Sequence, residues 1–346
     1  MPATTTPAAP AHLLGLQGMP APDLRMLLAD AHQVAVSRGS VGTPLAGKVV
    51  ANLFFEDSTR TRLSFSVAAK RLGADVIDLL GGNSSVSKGE TLIDTARNIE
   101  AMGVAAFVVR ARQSGSAALI ARHVGVPVLN AGDGRHEHPT QGLLDIYTLC
   151  EHFQRTKDFS LAGLRIAIVG DVNASRVARS NIAGMATLGA EVTCVGSPGL
   201  APRSLESLGC RVTEDFASVL PSMDAVMMLR IQFERYDAGK DVGADRKPNV
   251  IASVREYRAR YALTAERETL MKQGAVVMHP GPINRGIELD AEVADGPRSL
   301  ILRQVTNGVY VRMAALRGLV GPGEVAPPHG APRAPASPPV APRVPA

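Results

Sequence analysis

The sharpest local pattern in the chain is KVVANLFFEDSTRTRLSF, where an apolar run gives way to Ser58, Thr59, Arg60, Thr61 and Arg62 at the start of a helical period. The first turn of a helix carries unpaired backbone N–H groups and positive dipole potential, so hydroxyls and arginine placed there form an anion site suited to phosphate. The same residues also describe a Ser/Thr-capped helix with solvated arginines, and taken alone the segment favours that plainer reading. A GxxxxGK[ST] loop is absent, which disfavours nucleoside triphosphates. A second pattern, NAGDGRHEHPTQGLLDIYTL, sets His138 after a Gly/Asp turn, Pro139 where a first helical residue is expected, and Gln141 one turn along. From one helix start, His138 and Gln141 can reach a common crevice as donor and amide partner for a small polar substrate. A surface helix cap would use the same residues.

Three more loops follow apolar runs. IVGDVNASRVARS carries Arg176, MMLRIQFERY carries Arg230, Gln232 and Glu234, and VMHPGPINRG turns at Pro280, Gly281 and Pro282. Arginine suits bidentate recognition of carboxylates, so two arginine-bearing loops can grip two of them, although each loop alone is equally a solvated strand end. GDVNAS lacks the GxGxxG that lets a pyrophosphate approach the backbone, which argues against NAD. GGNSSVSKGETLIDT surrounds Lys88 with Ser85 and other small polar residues, as in a mobile loop that closes a cation over an anion, or as in any flexible surface loop.

Residues with these roles need a scaffold that brings distant loops together. Apolar, β-branched runs at 48–55, 75–79, 105–109 and 126–129 read as strands in the first half, and runs at 164–169, 191–195, 225–229 and 275–278 in the second. Helical stretches such as 175–188 and 264–272 lie between them. The expected fold class is α/β: two domains, each a mainly parallel sheet flanked by helices, with ligands at the carboxyl ends of the strands. The helix after Pro139 is the expected link, and a helical pattern at 305–319 can pack on either domain.

At 346 residues and 45% hydrophobic content the chain can bury two cores. No apolar stretch approaches the ~20 residues of a membrane span. The opening MPATTTPAAPAHLLGLQGMP lacks both the basic start of a secretory signal and the arginines of a transit peptide, so a cytoplasmic protein is expected. Cys150, Cys194 and Cys210 show no metal-ligand spacing, and neither a disulfide framework, a metal nor a cofactor is expected. A net charge of +5, with 4% aromatic residues and no Trp, points to small anions rather than nucleic acid. Residues 1–11 are Ala/Thr/Pro-rich, and 321–346 hold nine prolines; disorder is expected at both ends.

Taken in order, FFEDSTRTRLSF, SSVSKGETLIDT, HPTQGLLDIYTL, GDVNASRVARSN, MMLRIQFERY and HPGPINRG, closed by QVTNGVYVRMAAL, resemble the catalytic chains of bacterial aspartate carbamoyltransferases (aspartate transcarbamoylases) across residues 45–317. The resemblance implies transfer of a carbamoyl group from carbamoyl phosphate to L-aspartate in pyrimidine synthesis. It implies a carbamoyl-phosphate domain over 12–149, an aspartate domain over 150–304 and a helix over 305–320 returning to the first. By motif match, Ser58, Thr59, Arg60 and Thr61 would bind phosphate, and Thr61, Arg110 and His138 would surround the carbamoyl oxygen. Gln141 and the main chain at Pro280 and Gly281 would hold the carbamoyl NH2. Arg176 would pair with the α-carboxylate of aspartate and Arg230 with Gln232 with its side-chain carboxylate, beside Gly281 and Pro282. Ser85 and Lys88 would enter from the adjacent subunit of a homotrimer, with Lys88 also meeting aspartate. Whether trimers act alone or join a regulatory chain or dihydroorotase stays open.

Two positions depart from the family pattern. Ser66 stands where Glu is usual, and Gly281 stands where a larger residue is common, an exchange expected to loosen substrate positioning. The nearest rival is ornithine carbamoyltransferase, whose SMG-type loop and HCLP turn are replaced here by RIQFER and HPGP. A non-catalytic scaffold subunit is opposed by the presence of every ligand-contacting position.

Overall fold

The protein is described from a computed structural model covering residues 12–80, 90–231 and 253–321. Strands β1 (Val49–Phe54), β2 (Asp75–Leu80), β3 (Ala106–Ala111) and β4 (Val128–Asp133) form an all-parallel sheet in the order β2-β1-β3-β4. Side chains alternate across a strand. Accordingly Val50, Phe54, Ala106 and Val108 join the core beneath α1 (Ala21–Val36) and α2 (Thr59–Arg71). Ala51, Leu53, Phe107 and Val109 face α3 (Leu92–Glu100) and α4 (Ser116–Ala121).

A second parallel sheet orders β5 (Arg165–Val169), β6 (Glu191–Val195), β7 (Arg211–Thr213), β8 (Ala225–Met228) and β9 (Val276–Met278) as β7-β6-β5-β8-β9. One face packs on α6 (Arg176–Thr187). The other packs on α7 (Phe216–Val219), α8 (Val254–Tyr261) and α10 (Ala291–Ala294), with the short α9 (Ala265–Glu268) between the last two in sequence.

Between the sheets runs α5 (Pro139–His152), buried without a break from Pro139 to Cys150. Its buried polar residues Gln141, Asp145 and Thr148 make hydrogen bonds, so the helix can sit inside the protein. It lies close to α6 because two glycines remove side chains at the contact. A Cβ at Gly142 would lie 3.0 Å from Ser180 Cβ on α6, and one at Gly184 would lie 2.6 Å from Ile146 Cδ1 on α5. The final helix, α11 (Ile301–Val320), packs on α1, α2 and α5. At its end Lys48 Nζ donates to the carbonyls of Val320 (2.6 Å) and Gly321 (2.5 Å), which the helix itself leaves without partners.

Several elements differ from those expected of the sequence: β3 runs to Ala111 rather than residue 109, and the helix expected over 264–272 is only Ala265–Glu268. β4 continues past Leu129 through Asn130–Asp133, because the polar side chains there are buried and bonded: Asn130 Nδ2 donates to Asp133 Oδ1 at 2.8 Å. β7 was not expected, since three residues at a sheet edge carry no readable alternation. α11 starts at Ile301 rather than Val305, its first turn masked by exposed Leu302 and Arg303. No helix among the described residues is long and apolar enough to cross a membrane.

Candidate active site

Each sheet reverses its winding once, and a crevice opens where neighbouring strands send their connections to opposite sides. In the first sheet this point lies between β1 and β3, which deliver the Ser58–Thr61 turn and Arg110; in the second it lies between β5 and β8, which deliver Arg176 and Arg230. The two crevices merge into one cleft of about 580 Å³. His138 and Gln141 line it from the start of α5, Pro280, Gly281 and Pro282 from the turn after β9, and Arg312 from α11.

Among the described lining residues, five arginines (Arg60, Arg110, Arg176, Arg230 and Arg312) face two carboxylates, Glu56 and Asp57. The excess of positive charge suits a ligand with several negative charges. Ser58 caps α2 in extended geometry (φ −162°, ψ 90°) and makes no side-chain capping bond, so the first-turn N–H groups keep their capacity for an anion. Burial and the nearby Arg230 lower the pKa of Arg60.

Arg110 and Arg176 meet at Glu56. Arg110 Nη2 donates to Glu56 Oε1 at 3.0 Å and Arg176 Nη2 to the same oxygen, so one carboxylate of the first sheet joins an arginine from each half. Gly132 makes room for both: its φ is +113°, and a Cβ there would lie 3.0 Å from Arg110 Nη1 and from Arg176 Cδ. Gly281 (φ +65°) does the same for Arg60, since a Cβ would overlap its guanidinium, 1.7 Å from Nη1. An arginine from the other half thus occupies the space that a side chain at 281 would take.

His138 is 3% exposed, and its backbone N–H is tied to Ser180 Oγ at 2.9 Å. Burial first, then Arg110, Arg312 and Arg176, hold its pKa well below the usual histidine value. The imidazole is therefore neutral at pH 7, with one ring nitrogen carrying hydrogen and able to donate. Its Nδ1 has no hydrogen-bond partner among the described residues. The turn that carries it is held by Asp133, whose Oδ1 accepts from the Glu137 N–H (3.2 Å) and Oδ2 from the Gly115 N–H (2.6 Å).

Of the expected site residues, Ser58, Thr59, Arg60, Thr61, Arg110, His138, Gln141, Arg176, Arg230, Pro280, Gly281 and Pro282 all line this cleft. Ser85, Lys88 and Gln232 lie outside the described residues. Arg62, next to Thr61, instead pairs with Asp78 on β2 at 2.9 Å. Sequence reasoning missed Glu56, Arg312, His279 and Gln304. The signal for Glu56 was a carboxylate just ahead of an arginine-rich turn, and the signal for Arg312 was a charge inside an otherwise apolar helix.

The chain matches two halves of one family: "Aspartate/ornithine carbamoyltransferase, carbamoyl-P binding domain" over residues 11–151, and the Asp/Orn binding domain over 162–319. It is 53% identical over 305 residues to the aspartate carbamoyltransferase catalytic subunit of Myxococcus xanthus, covering 88% of this chain and 98% of that one. Its structure is similar to ornithine carbamoyltransferase of Thermus thermophilus (TM-score 0.76, 27% identity, 90% and 99% of the two chains). It is likewise similar to aspartate transcarbamoylase of Trypanosoma cruzi bound to carbamoyl phosphate and aspartate (TM-score 0.75, 28% identity, 89% and 95%).

Proposed function

The chain belongs to the aspartate/ornithine carbamoyltransferase family, and we propose that its cleft divides into a phosphate clamp, a carbamoyl cage and a pair of carboxylate-binding arginines. The reaction moves the carbamoyl group of carbamoyl phosphate to the amino group of L-aspartate, giving N-carbamoyl-L-aspartate and phosphate. One observation carries the assignment of residues: five arginines, a neutral buried histidine and a glutamine amide converge on one cleft at the switch points of two sheets.

In this reading Ser58, Thr59, Arg60 and Thr61 clamp the phosphate at the start of α2. Thr61, Arg110 and His138 surround the carbamoyl oxygen, and Gln141 with the main chain at Pro280 and Gly281 accepts from the carbamoyl NH2. Arg176 takes the α-carboxylate of aspartate and Arg230, with Gln232, its side-chain carboxylate, beside Gly281 and Pro282. The aspartate nitrogen attacks the carbonyl carbon, negative charge grows on the carbonyl oxygen, and the bond to the phosphate oxygen breaks. His138 donates to that oxygen, and a phosphate oxygen takes the amine proton. Catalysis is alignment and positive potential, without a covalent intermediate. Glu56 keeps Arg110 and Arg176 in place until the α-carboxylate of aspartate competes for Arg176.

We assign residues 12–149 to carbamoyl phosphate, 150–304 to aspartate and 305–320 to the returning helix, and we place the enzyme in the cytoplasm. A homotrimer, with Ser85 and Lys88 reaching into the neighbour's cleft, is supported by exposed apolar side chains at the open edge of the first sheet. On β2, the edge strand, Ile77 (41%) and Leu80 (44%) are exposed on opposite faces, Leu63 (53%) and Val67 (41%) of α2 are exposed too, and Ser85 and Lys88 follow β2 in the sequence.

A coupled assay offering aspartate and ornithine in parallel tests the substrate. Turnover with ornithine and none with aspartate sinks the reading. Mixing Arg60→Ala and Lys88→Ala chains tests the shared site: random reassembly leaves roughly a quarter of sites intact, so activity returns toward ~25% of wild type. Verified exchange without recovery overturns it.

A further inference from the structure

Beneath the cleft lies a carboxylate that the reaction as described does not use. Asp145, on α5, is fully buried. Its Oδ1 accepts from Gln141 Nε2 (2.9 Å) and Gln304 Nε2 (2.7 Å), and its Oδ2 accepts from Asn181 Nδ2 (2.7 Å). Gln304 in turn accepts, through Oε1, the backbone N–H of His279 at 3.0 Å. His279 Nδ1 accepts the Gly281 N–H at 2.7 Å. One carboxylate therefore ties α5, α6 and α11 together and, through Gln304, holds the turn 279–282.

A carboxylate only accepts hydrogen bonds, whereas an amide can present either its oxygen or its NH2. Three amides around one carboxylate must each turn NH2 inward. For Gln141 this leaves the carbonyl oxygen as the atom that can serve the cleft. For Gln304 it leaves the oxygen that receives the His279 N–H. We propose that Asp145 is a positioning residue for the carbamoyl group: it orients Gln141 and, through Gln304, the Pro280–Gly281 turn, so that both sets of acceptors for the carbamoyl NH2 are set by one buried carboxylate. This rests on the placement of Gln141 and Pro280 at the carbamoyl NH2 argued above. The burial of Asp145 raises its pKa to about 6, with the bonds from Asn181, Gln304 and Gln141 and the charge of Arg312 opposing the rise, so it is ionised and acceptor-only at neutral pH.

The test separates carbamoyl recognition from phosphate recognition, using inorganic phosphate as a competitor that has no carbamoyl group. Asp145→Ala should lower kcat/KM for carbamoyl phosphate about tenfold or more, the scale of misplaced reacting groups, while the inhibition constant of phosphate stays within about twofold. Asp145→Asn is the conservative rescue. Its Oδ1 still accepts from both glutamines, and Asn181, whose Oδ1 has no partner, can turn that oxygen toward the new NH2. It should stay within about threefold of wild type, because acceptor geometry is kept while the charge is lost.

The proposal falls if Asp145→Ala weakens phosphate and carbamoyl phosphate alike, if it leaves both unchanged, or if Asp145→Asn is as damaged as Asp145→Ala. Should Asp145→Ala fail to fold, Gln304→Leu decides. It keeps Asp145 and Gln141 but cuts the link to His279, and it must show the same selective loss; an unselective loss, or none, overturns the proposal. Gln141→Ala is run beside these. If it leaves carbamoyl phosphate kinetics intact in an active enzyme, the placement of Gln141 is what fails, and the proposal fails with it.

Discussion

At the end of the cleft that we assign to the carbamoyl group His138 and Gln141 are 3% and 8% exposed, and the groups behind them are bonded to one another through Asp145, Gln304 and Asn181. At the end we assign to phosphate Thr59 and Arg60 are exposed, Ser58 is half-buried and makes no capping bond, and Thr61 is buried. The first region bore its desolvation when the chain folded, so its dipoles are fixed before the substrate arrives. The second attracts a hydrated anion by charge and must shed water as it binds. Fixed dipoles select shape and stabilise charge that develops late, whereas exposed charge gathers ligand without discriminating finely.

The contrast breaks most visibly at His138. His138→Ala removes one preorganised donor and should lower kcat by about 10²–10³-fold, with phosphate inhibition nearly unchanged. A wild-type rate in single-turnover measurements would remove the residue from the oxyanion.

Next in size is the cost of the buried charge. Asp145 titrates near 6 in the folded chain against an ordinary value of 3.8. Between those values the native state binds the extra proton, so this group adds stability at low pH and the gain is lost as pH rises through about 6. Two units correspond to about 3 kcal/mol. Relative to wild type, Asp145→Asn should therefore gain stability by roughly that amount between pH 4 and pH 7, read by urea unfolding at each pH. A constant difference would show that the carboxyl is not shifted. Burial holds His138 and His279 below the usual histidine value, in His279 against the opposing carboxylate of Glu288.

Packing around α5 supports the buried end. Gly184→Val puts carbon where Ile146 Cδ1 already lies and should cost about 1–3 kcal/mol of stability, the usual range for overfilling a core. A melting temperature within a degree of wild type would show that α5 and α6 separate freely. Salt acts on the other end: raising ionic strength from about 0.05 to 0.5 M shortens the Debye length to a few ångströms and should weaken phosphate inhibition several-fold. The ratio of carbamoyl phosphate to phosphate affinity should hardly move, and a ratio that collapsed would make the carbamoyl end electrostatic too. Smallest of all, ending the chain at Gly321 should leave kcat within about twofold, a minor step on the free-energy scale of catalysis.

The exposed end was the legible one. A Ser/Thr/Arg run at a strand-to-helix junction reads as a capped helix or an anion site, and its place in the ordered series of motifs favours the second; the apolar runs announce the sheets. The buried end was half legible. His138 and Gln141 stand out because they flank a proline at a helix start. Asp145 does not, although it sits four residues beyond Gln141 on the same helix face, where amide and carboxylate meet. Its other partners, Asn181 and Gln304, come from helices 36 and 159 residues away, a separation no local pattern encodes. Glu56 was hidden for a similar reason, because its second arginine lies 120 residues along the chain. β4 looked short because its last residues, Asn130–Asp133, read as a turn until their side chains found partners inside.

The lysine clamp at the end of α11 also has a practical reading. Lys48 directly precedes β1, so the carbonyls of Val320 and Gly321 that it holds lie at the amino ends of the first sheet's strands. The cleft lies at the other ends, a strand of six residues or roughly 20 Å away. In a chain ended at Gly321, a purification handle, a fluorophore or a surface tether joined there starts from the side facing away from the cleft. Immobilised through that end, the enzyme would present its cleft outward.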